Sequence, residues 1–351
     1  MKVARFYAPG DVRLEDVAEP VAGPREVRIR VRNCSTCGTD VKILNNGHPN
    51  LSPPRVMGHE ISGEVVEVGA EVASAGYGDW AAGDRVQVIA AVPCGDCRQC
   101  RKGRMAVCEN QTSVGYQYEG GFAEYLVVPE QVLKVDGLNR LPEGLGFAEA
   151  SVAEPLACVL NGQRLAGVGP GDVVVIVGAV PIGCLHVRLA RARGAARVVL
   201  ADMQPDRLRM AADLVKPDDT IDVSSVDLVE EVLRLTDGAG ADVVITAAAS
   251  GAAQEQALRA VARGGRVSFF GGLPKDKPVI AVDSNLVHYR ELTIVGANGS
   301  SPADNAEALR LIASGEVPVS DLITHTLPLD RVLDAFGIVA RGEAIKVTIE
   351  P

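Results

Sequence analysis

Two groups of metal-binding side chains stand out along this chain. Cys94, Cys97, Cys100 and Cys108 fall in one window, CGDCRQCRKGRMAVC, with spacing C-x2-C-x2-C-x7-C. Gaps of two let successive sulfurs converge on one ion, and four thiolates fill a tetrahedral zinc with no position left for substrate, so the window predicts a structural site. A ferredoxin-like iron–sulfur run also uses gaps of two, but it typically closes with a gap of three and a proline; here the last gap is seven and Glu109 follows. Disulfide pairing is the other alternative, though nothing in the chain suggests secretion. The second group is scattered over Cys37-Gly38-Thr39-Asp40, Gly58-His59-Glu60 and Ala153-Glu154-Pro155. Cys, His and Glu are zinc ligands, and a catalytic zinc keeps one position open. Taken singly, each also reads as an ordinary buried or satisfied residue.

A third site follows a run of valines. DVVVIVGAVPIG, residues 172–183, reads as a strand, a tight turn and a helix start. Gly178 makes the turn, Gly183 lets helix and strand pack closely, and Pro181 and Ile182 open the helix, where the missing N–H of proline costs nothing. Free amides and the dipole at that helix start favour a pyrophosphate. Asp202 ends the next strand, placed to accept hydrogen bonds from ribose hydroxyls and to repel a 2′-phosphate, which favours NAD over NADP. Val180 replaces the middle glycine of the G-x-G-x-x-G fingerprint, so its side chain is expected to push the cofactor outward. Arg207 is a candidate to stack on the adenine.

These residues need two kinds of scaffold. In the first 150 or so residues, short alternating runs such as Val27–Arg32, Ile61–Val68 and Arg85–Ile89 are punctuated by Gly, Pro and Asp, which predicts an antiparallel, barrel-like β domain. From Asp172, apolar strands (Val173–Val177, Val198–Ala201, Asp242–Ala247, Arg266–Phe270) alternate with helices (Ile182–Arg193, Arg207–Leu214, Val226–Leu235, Gln254–Ala262), the pattern of a doubly wound parallel sheet. Helices at Asn305–Ser314 and Arg331–Ala340 and a strand at Lys346–Ile349 are expected to return to the first domain. The 351 residues are 47% hydrophobic and 23% charged, with net charge −10 from 45 acids against 35 bases. That balance argues against a nucleic-acid or anionic-membrane surface. The N-terminus has no apolar signal segment and no apolar run is long enough to span a bilayer, so a cytoplasmic location is expected.

The ordered set CGTD, GHE, SGEVVEVG, GDRV, the four-cysteine lobe, GGFAEY, AEPLACV, the nucleotide turn and Ala344–Ile349 resembles the medium-chain, zinc-dependent alcohol dehydrogenase family, particularly its sorbitol (iditol)/threonine dehydrogenase branch. The resemblance implies an α/β architecture: a GroES-like β-barrel catalytic domain (1–152 and 298–351, zinc lobe 93–109) and a Rossmann doubly wound NAD-binding domain (153–297). It also implies a catalytic zinc on Cys37 and His59, completed by Glu60 or Glu154 and water. Thr39 would pass on the leaving proton and Asp40 would orient His59. Lys346 resembles a basic position that the family places near the cofactor phosphate. Lys42 stands where the family often has a relay histidine, which leaves His48 as a substitute or as a plain loop residue. The implied reaction moves a hydride between a secondary alcohol (a polyol, sugar or cyclitol) and NAD. The alternatives are an L-threonine-type amino-alcohol dehydrogenase, suggested by GANGS at the end of a segment where the sorbitol branch often has an Arg-Tyr pair, and a non-catalytic zinc-stabilised nucleotide binder, suggested by Val180. A homo-oligomer, tetramer or dimer, is implied as well. Cys34, Cys158 and Cys184 read as small buried hydrophobes.

Overall fold

The computed structural model describes residues 1–351, which form two compact units: Met1–Ala157 with Gly299–Pro351, and Cys158–Asn298. The boundary between them falls inside the helix Ala153–Ala166.

The first unit is built on a seven-stranded sheet whose centre is the strand Val27–Ser35. Its alternating sequence does what period-two alternation dictates: Val27, Ile29 and Val31 are buried while Arg30 and Arg32 face water. Glu60–Val68 runs antiparallel to it with Glu60 opposite Ser35, and Lys346–Glu350 runs antiparallel to it with Thr348 opposite Ser35. One end of the sheet therefore gathers the chain just before Cys37, the start of the strand at Glu60, and the start of the closing strand at Lys346. Behind this end lies a core that includes Phe6, Ile29, Ile61, Phe122 and Phe336, with the two phenylalanines edge to face at 5.6 Å. Cys34 lies in that core.

The second unit is a six-stranded, all-parallel sheet in the order Asp219–Asp222, Arg197–Asp202, Val173–Val177, Ala241–Thr246, Val261–Phe269, Thr293–Gly296. Strand order reverses beside Val173–Val177, and in such sheets dinucleotides bind at that switch point. Val173–Val177, at the centre, is apolar throughout, as a strand covered on both faces is expected to be. The edge strands differ. Asp219–Asp222 is short and polar, and Thr293–Gly296 is largely exposed. No helix in the chain is long and apolar enough to cross a membrane.

Candidate functional site

The four-cysteine window forms a compact lobe. Cys97 Sγ lies 3.5 Å from Cys100 Sγ and 3.9 Å from Cys108 Sγ, and Cys108 Sγ lies 3.5 Å from Cys94 Sγ. Thiolates around one tetrahedral zinc, each at ~2.3 Å, sit about 3.8 Å apart, so the donor set fits zinc. A disulfide, at about 2.05 Å, does not describe these contacts, and all eight cysteines are free. Backbone amides of Cys94, Cys97, Cys100 and Asn110 donate to the sulfurs at 3.2–3.5 Å. Amides aimed at sulfur stabilise thiolate, and those of Cys100 and Glu109 hold the Cys97 thiol below its ordinary value.

The second cluster is assembled from distant segments. The ligand atoms of Cys37, His59 and Glu60 lie within 4.8 Å of one another. Cys37 caps the helix Gly38–Asn46, and the carboxylate of Asp40, at that helix's third position, accepts from the Cys37 amide at 2.8 Å. The other Asp40 oxygen lies 3.4 Å from His59 Nδ1. One fully buried carboxylate thus positions two ligands, and it leaves Nε2 as the imidazole's metal-facing nitrogen. Burial works against a charged His59, but Asp40 and Cys37 outweigh it and raise its pKa well above the usual range. Burial pushes Glu60 up to about 7 against the pull of Lys346. Glu154, 8% exposed in the first turn of Ala153–Ala166, adds to that upward push. Its carboxylate is not among the three converging donors. Thr39 lies in the first turn of the helix that Cys37 caps.

Lys346 differs from its expected place beside a cofactor phosphate. It is 4% exposed, its ammonium pairs with Glu60, and it donates to the Thr36 carbonyl at 2.9 Å. A cation committed to a buried carboxylate and a carbonyl is a charge partner for the metal cluster. Nothing about the residue taken alone signals this; the sheet register that sets Lys346–Glu350 beside the Cys37 strand does. His48 also differs from the relay reading. Its Nδ1 accepts from the Asn50 amide at 3.2 Å, so its lone pair is taken and its other nitrogen is a donor. Its ring packs at 4.9 Å against Tyr116, which leans on His59 at 6.1 Å. Tyr116 had no signal in the sequence. Burial raises its phenol to about 12.

In the second unit, the helix Pro181–Ala192 begins at the switch point. Gly178 has φ +121°, and a Cβ on Gly183 would lie 1.8 Å from the Gly178 carbonyl oxygen, so both positions require glycine. Val180 is the N-cap with φ −83° and ψ 174°, an unstrained geometry for valine, so the turn itself does not demand the missing glycine. Asp202 is 3% exposed and accepts from the amides of Ala179 and Gln204 at 2.7 and 2.8 Å. Arg207, expected to lie on an adenine, instead forks onto Asp202 at 2.6 and 3.2 Å and also reaches Gln204. The acid is therefore neutralised, and the protein already supplies it with four hydrogen bonds.

One chain thus carries a doubly wound parallel sheet and a three-donor cluster able to hold a metal ion. Residues 23–137 match the alcohol dehydrogenase GroES-like domain and residues 181–314 the zinc-binding dehydrogenase family. The chain is 31% identical over 346 residues to a sorbitol dehydrogenase of Halalkalibacterium halodurans, covering 98% of this chain and 97% of that protein. It is 36% identical over 340 residues to an L-threonine 3-dehydrogenase of Pyrococcus horikoshii, covering 95% and 93%. A crystal structure described as a zinc-binding dehydrogenase of Sinorhizobium meliloti, bound to NADP, superposes with a TM-score of 0.91 at 33% identity, over 100% of this chain and 99% of that one. The protein belongs to the medium-chain, zinc-dependent alcohol dehydrogenase family.

Proposed function

We propose that the protein is a zinc-dependent dehydrogenase that oxidises a secondary alcohol, of the polyol, sugar or cyclitol class, to a ketone with NAD, or runs the reverse reduction. The observation that carries this reading is the convergence of Cys37, His59 and Glu60, three donors where a closed structural site has four. Zinc held there would supply a Lewis acid for the substrate hydroxyl, and NAD would supply the hydride acceptor. The chain's own residues do the rest. Cys37, His59 and Glu60 hold the ion, with Glu60 rather than Glu154 as third ligand because its carboxylate is the one that converges. Asp40 positions Cys37 and His59 from behind, and Lys346 balances Glu60. The Thr39 hydroxyl, two residues from Cys37, relays the proton that leaves the alcohol, accepting it while its own hydroxyl proton passes on to water. The amides after Gly178 receive the cofactor's pyrophosphate.

The L-threonine-type reading stays in the test because an L-threonine 3-dehydrogenase is among the relatives. The experiment is a panel of polyols, cyclitols, L-threonine and simple secondary alcohols, given to zinc-loaded protein with NAD and with NADP and followed by nicotinamide absorbance. Both cofactors are needed because Arg207 pairs with the acid that would otherwise exclude a 2′-phosphate. Turnover of polyols ahead of L-threonine is expected, with about two zincs per chain. Absence of turnover on every alcohol, with zinc bound, overturns the proposal.

A further inference from the structure

The chain spells Asn-Gly three times, at Asn46-Gly47, Asn161-Gly162 and Asn298-Gly299. The pair has a chemistry of its own. The glycine amide nitrogen attacks the asparagine carboxamide carbon, and the absence of a Cβ on glycine leaves that approach unhindered. The new N–C bond closes a succinimide ring and ammonia leaves. Water then opens the ring to aspartate, or to isoaspartate, in which the main chain runs through the side-chain carbon. No oxidant or reductant enters. What decides the rate is whether the fold lets amide, carboxamide and water meet.

The fold holds the three pairs differently. Asn161-Gly162 lies inside the helix Ala153–Ala166, where amides are committed to the helical ladder. Asn161 is 4% exposed, and its carboxamide donates to the Asn298 carbonyl at 3.3 Å and accepts from Arg164 at 2.9 Å. A Cβ on Gly162 would lie 2.7 Å from the Phe270 ring, so the pair is sealed. Asn46 is exposed but ends the helix Gly38–Asn46, and the Gly47 amide donates back to the Ile43 carbonyl at 2.8 Å. Asn298-Gly299 lies outside every helix and strand, just past the strand Thr293–Gly296. The Asn298 main-chain carbonyl accepts from Asn161, while its carboxamide is exposed with no protein partner. A Cβ on Gly299 would meet nothing within 4 Å, so there is room for water at this peptide bond.

We propose that Asn298 is a self-modification site, converting to aspartate and isoaspartate in the folded protein while Asn46 and Asn161 are protected. The peptide bond concerned is the one at which the chain passes from the second compact unit back to the first. The product sets a carboxylate just beyond the carboxyl end of a parallel strand, the end of such sheets at which ligands bind. The proposal stands apart from the dehydrogenase reading.

The test holds the full-length, zinc-loaded protein at mildly alkaline pH and samples it over days. Digestion at acidic pH, which halts further conversion, is followed by peptide mass spectrometry with fragmentation that resolves the individual asparagines. The same chain in denaturant supplies the rate of each pair without structure. In the folded protein Asn298 is expected to keep its denatured rate to within about tenfold, whereas Asn46 is slowed more than that and Asn161 about a hundredfold or more, because their amides are released only when a helix opens. Asn298→Gln, whose longer side chain disfavours ring closure, is expected to stop conversion at this position and leave the other two rates unchanged. Protection of Asn298 as strong as that of Asn161 overturns the proposal. So does faster conversion at Asn46 than at Asn298 in the folded protein.

Discussion

The two cysteine-bearing clusters use similar donors and are built in opposite ways. The lobe of Cys94, Cys97, Cys100 and Cys108 draws all its sulfurs from one short loop, and that loop's own amides solvate them. The cluster of Cys37, His59 and Glu60 draws on a helix cap, a strand start and a loop between strands. Its supporting charges, Asp40 and Lys346, are buried and come from elements far apart in sequence. A local cluster with four donors gains its geometry from the loop and closes the metal off. A cluster assembled by the whole sheet inherits rigidity from the core, and with only three donors it would leave a bound metal a free position.

Removing one ligand from each cluster tests this contrast most severely. Cys100→Ala is expected to drop zinc from about two to about one per chain and to lower the melting temperature by roughly 10 °C or more, because the lobe's loop has little besides metal to order it. Cys37→Ala is expected to cost the same amount of zinc, leave the melting temperature nearly unchanged, and reduce kcat/KM about a thousandfold or more. Metal analysis with calorimetry and steady-state kinetics reads all three quantities. The contrast is broken if Cys37→Ala unfolds the protein while Cys100→Ala merely slows it.

Acidification offers a gentler separation. Glu60 takes up its proton as pH falls through about 7, well above its ordinary value of 4.5, and His59 holds a proton more firmly than usual. Zinc must displace both protons, so affinity at this cluster falls by about tenfold per unit below pH 7 from Glu60 alone, and more steeply with His59. Dialysis against a chelator over a series of buffers from about pH 8 to 5.5 should empty the open cluster first and the lobe later. The metal-free protein carries the matching stability term. A carboxyl whose folded pKa is raised favours the fold where it is protonated, so that contribution is present at low pH and is lost as pH rises from about 4.5 to about 7. Release of both zincs together would show that the buried carboxylate and imidazole do not set the order.

How much of this was legible in the sequence follows the same local-versus-assembled divide. Spacing alone carried the lobe, because its geometry is a property of one loop. The apolar strands Val173–Val177 and Ala241–Thr246 were legible because burial on both faces leaves a continuous hydrophobic run. Asp219–Asp222, Thr293–Gly296 and Ile323–Pro328 were not, because short, polar or exposed strands carry neither a run nor a clean alternation. Resemblance brought Cys37, His59 and the glutamates to notice, but the placement of Lys346 against Glu60 and of Tyr116 against His48 and His59 depends on cross-strand register and tertiary packing, which no window of sequence contains. Asp202 was found by its position at the end of a strand. Its neutralisation by Arg207 depends on how a side chain one helical turn away folds back onto it.

The smallest expected effect lies outside both clusters and checks that they can be addressed independently of the nucleotide turn. Val180 caps the helix Pro181–Ala192 with its side chain half-buried, at the end where the pyrophosphate would sit. Glycine there would remove the side chain without being needed for backbone conformation, since φ is −83°. Two consequences oppose each other. The cofactor gains closer approach to the helix amides, while the unfolded chain gains freedom, which costs stability of roughly 0.5–1 kcal/mol. Val180→Gly is therefore expected to tighten NAD binding a few-fold by fluorescence titration, to lower the melting temperature by about 1–3 °C, and to leave both zincs in place. Unchanged or weaker NAD binding would show that valine is no obstacle at this turn.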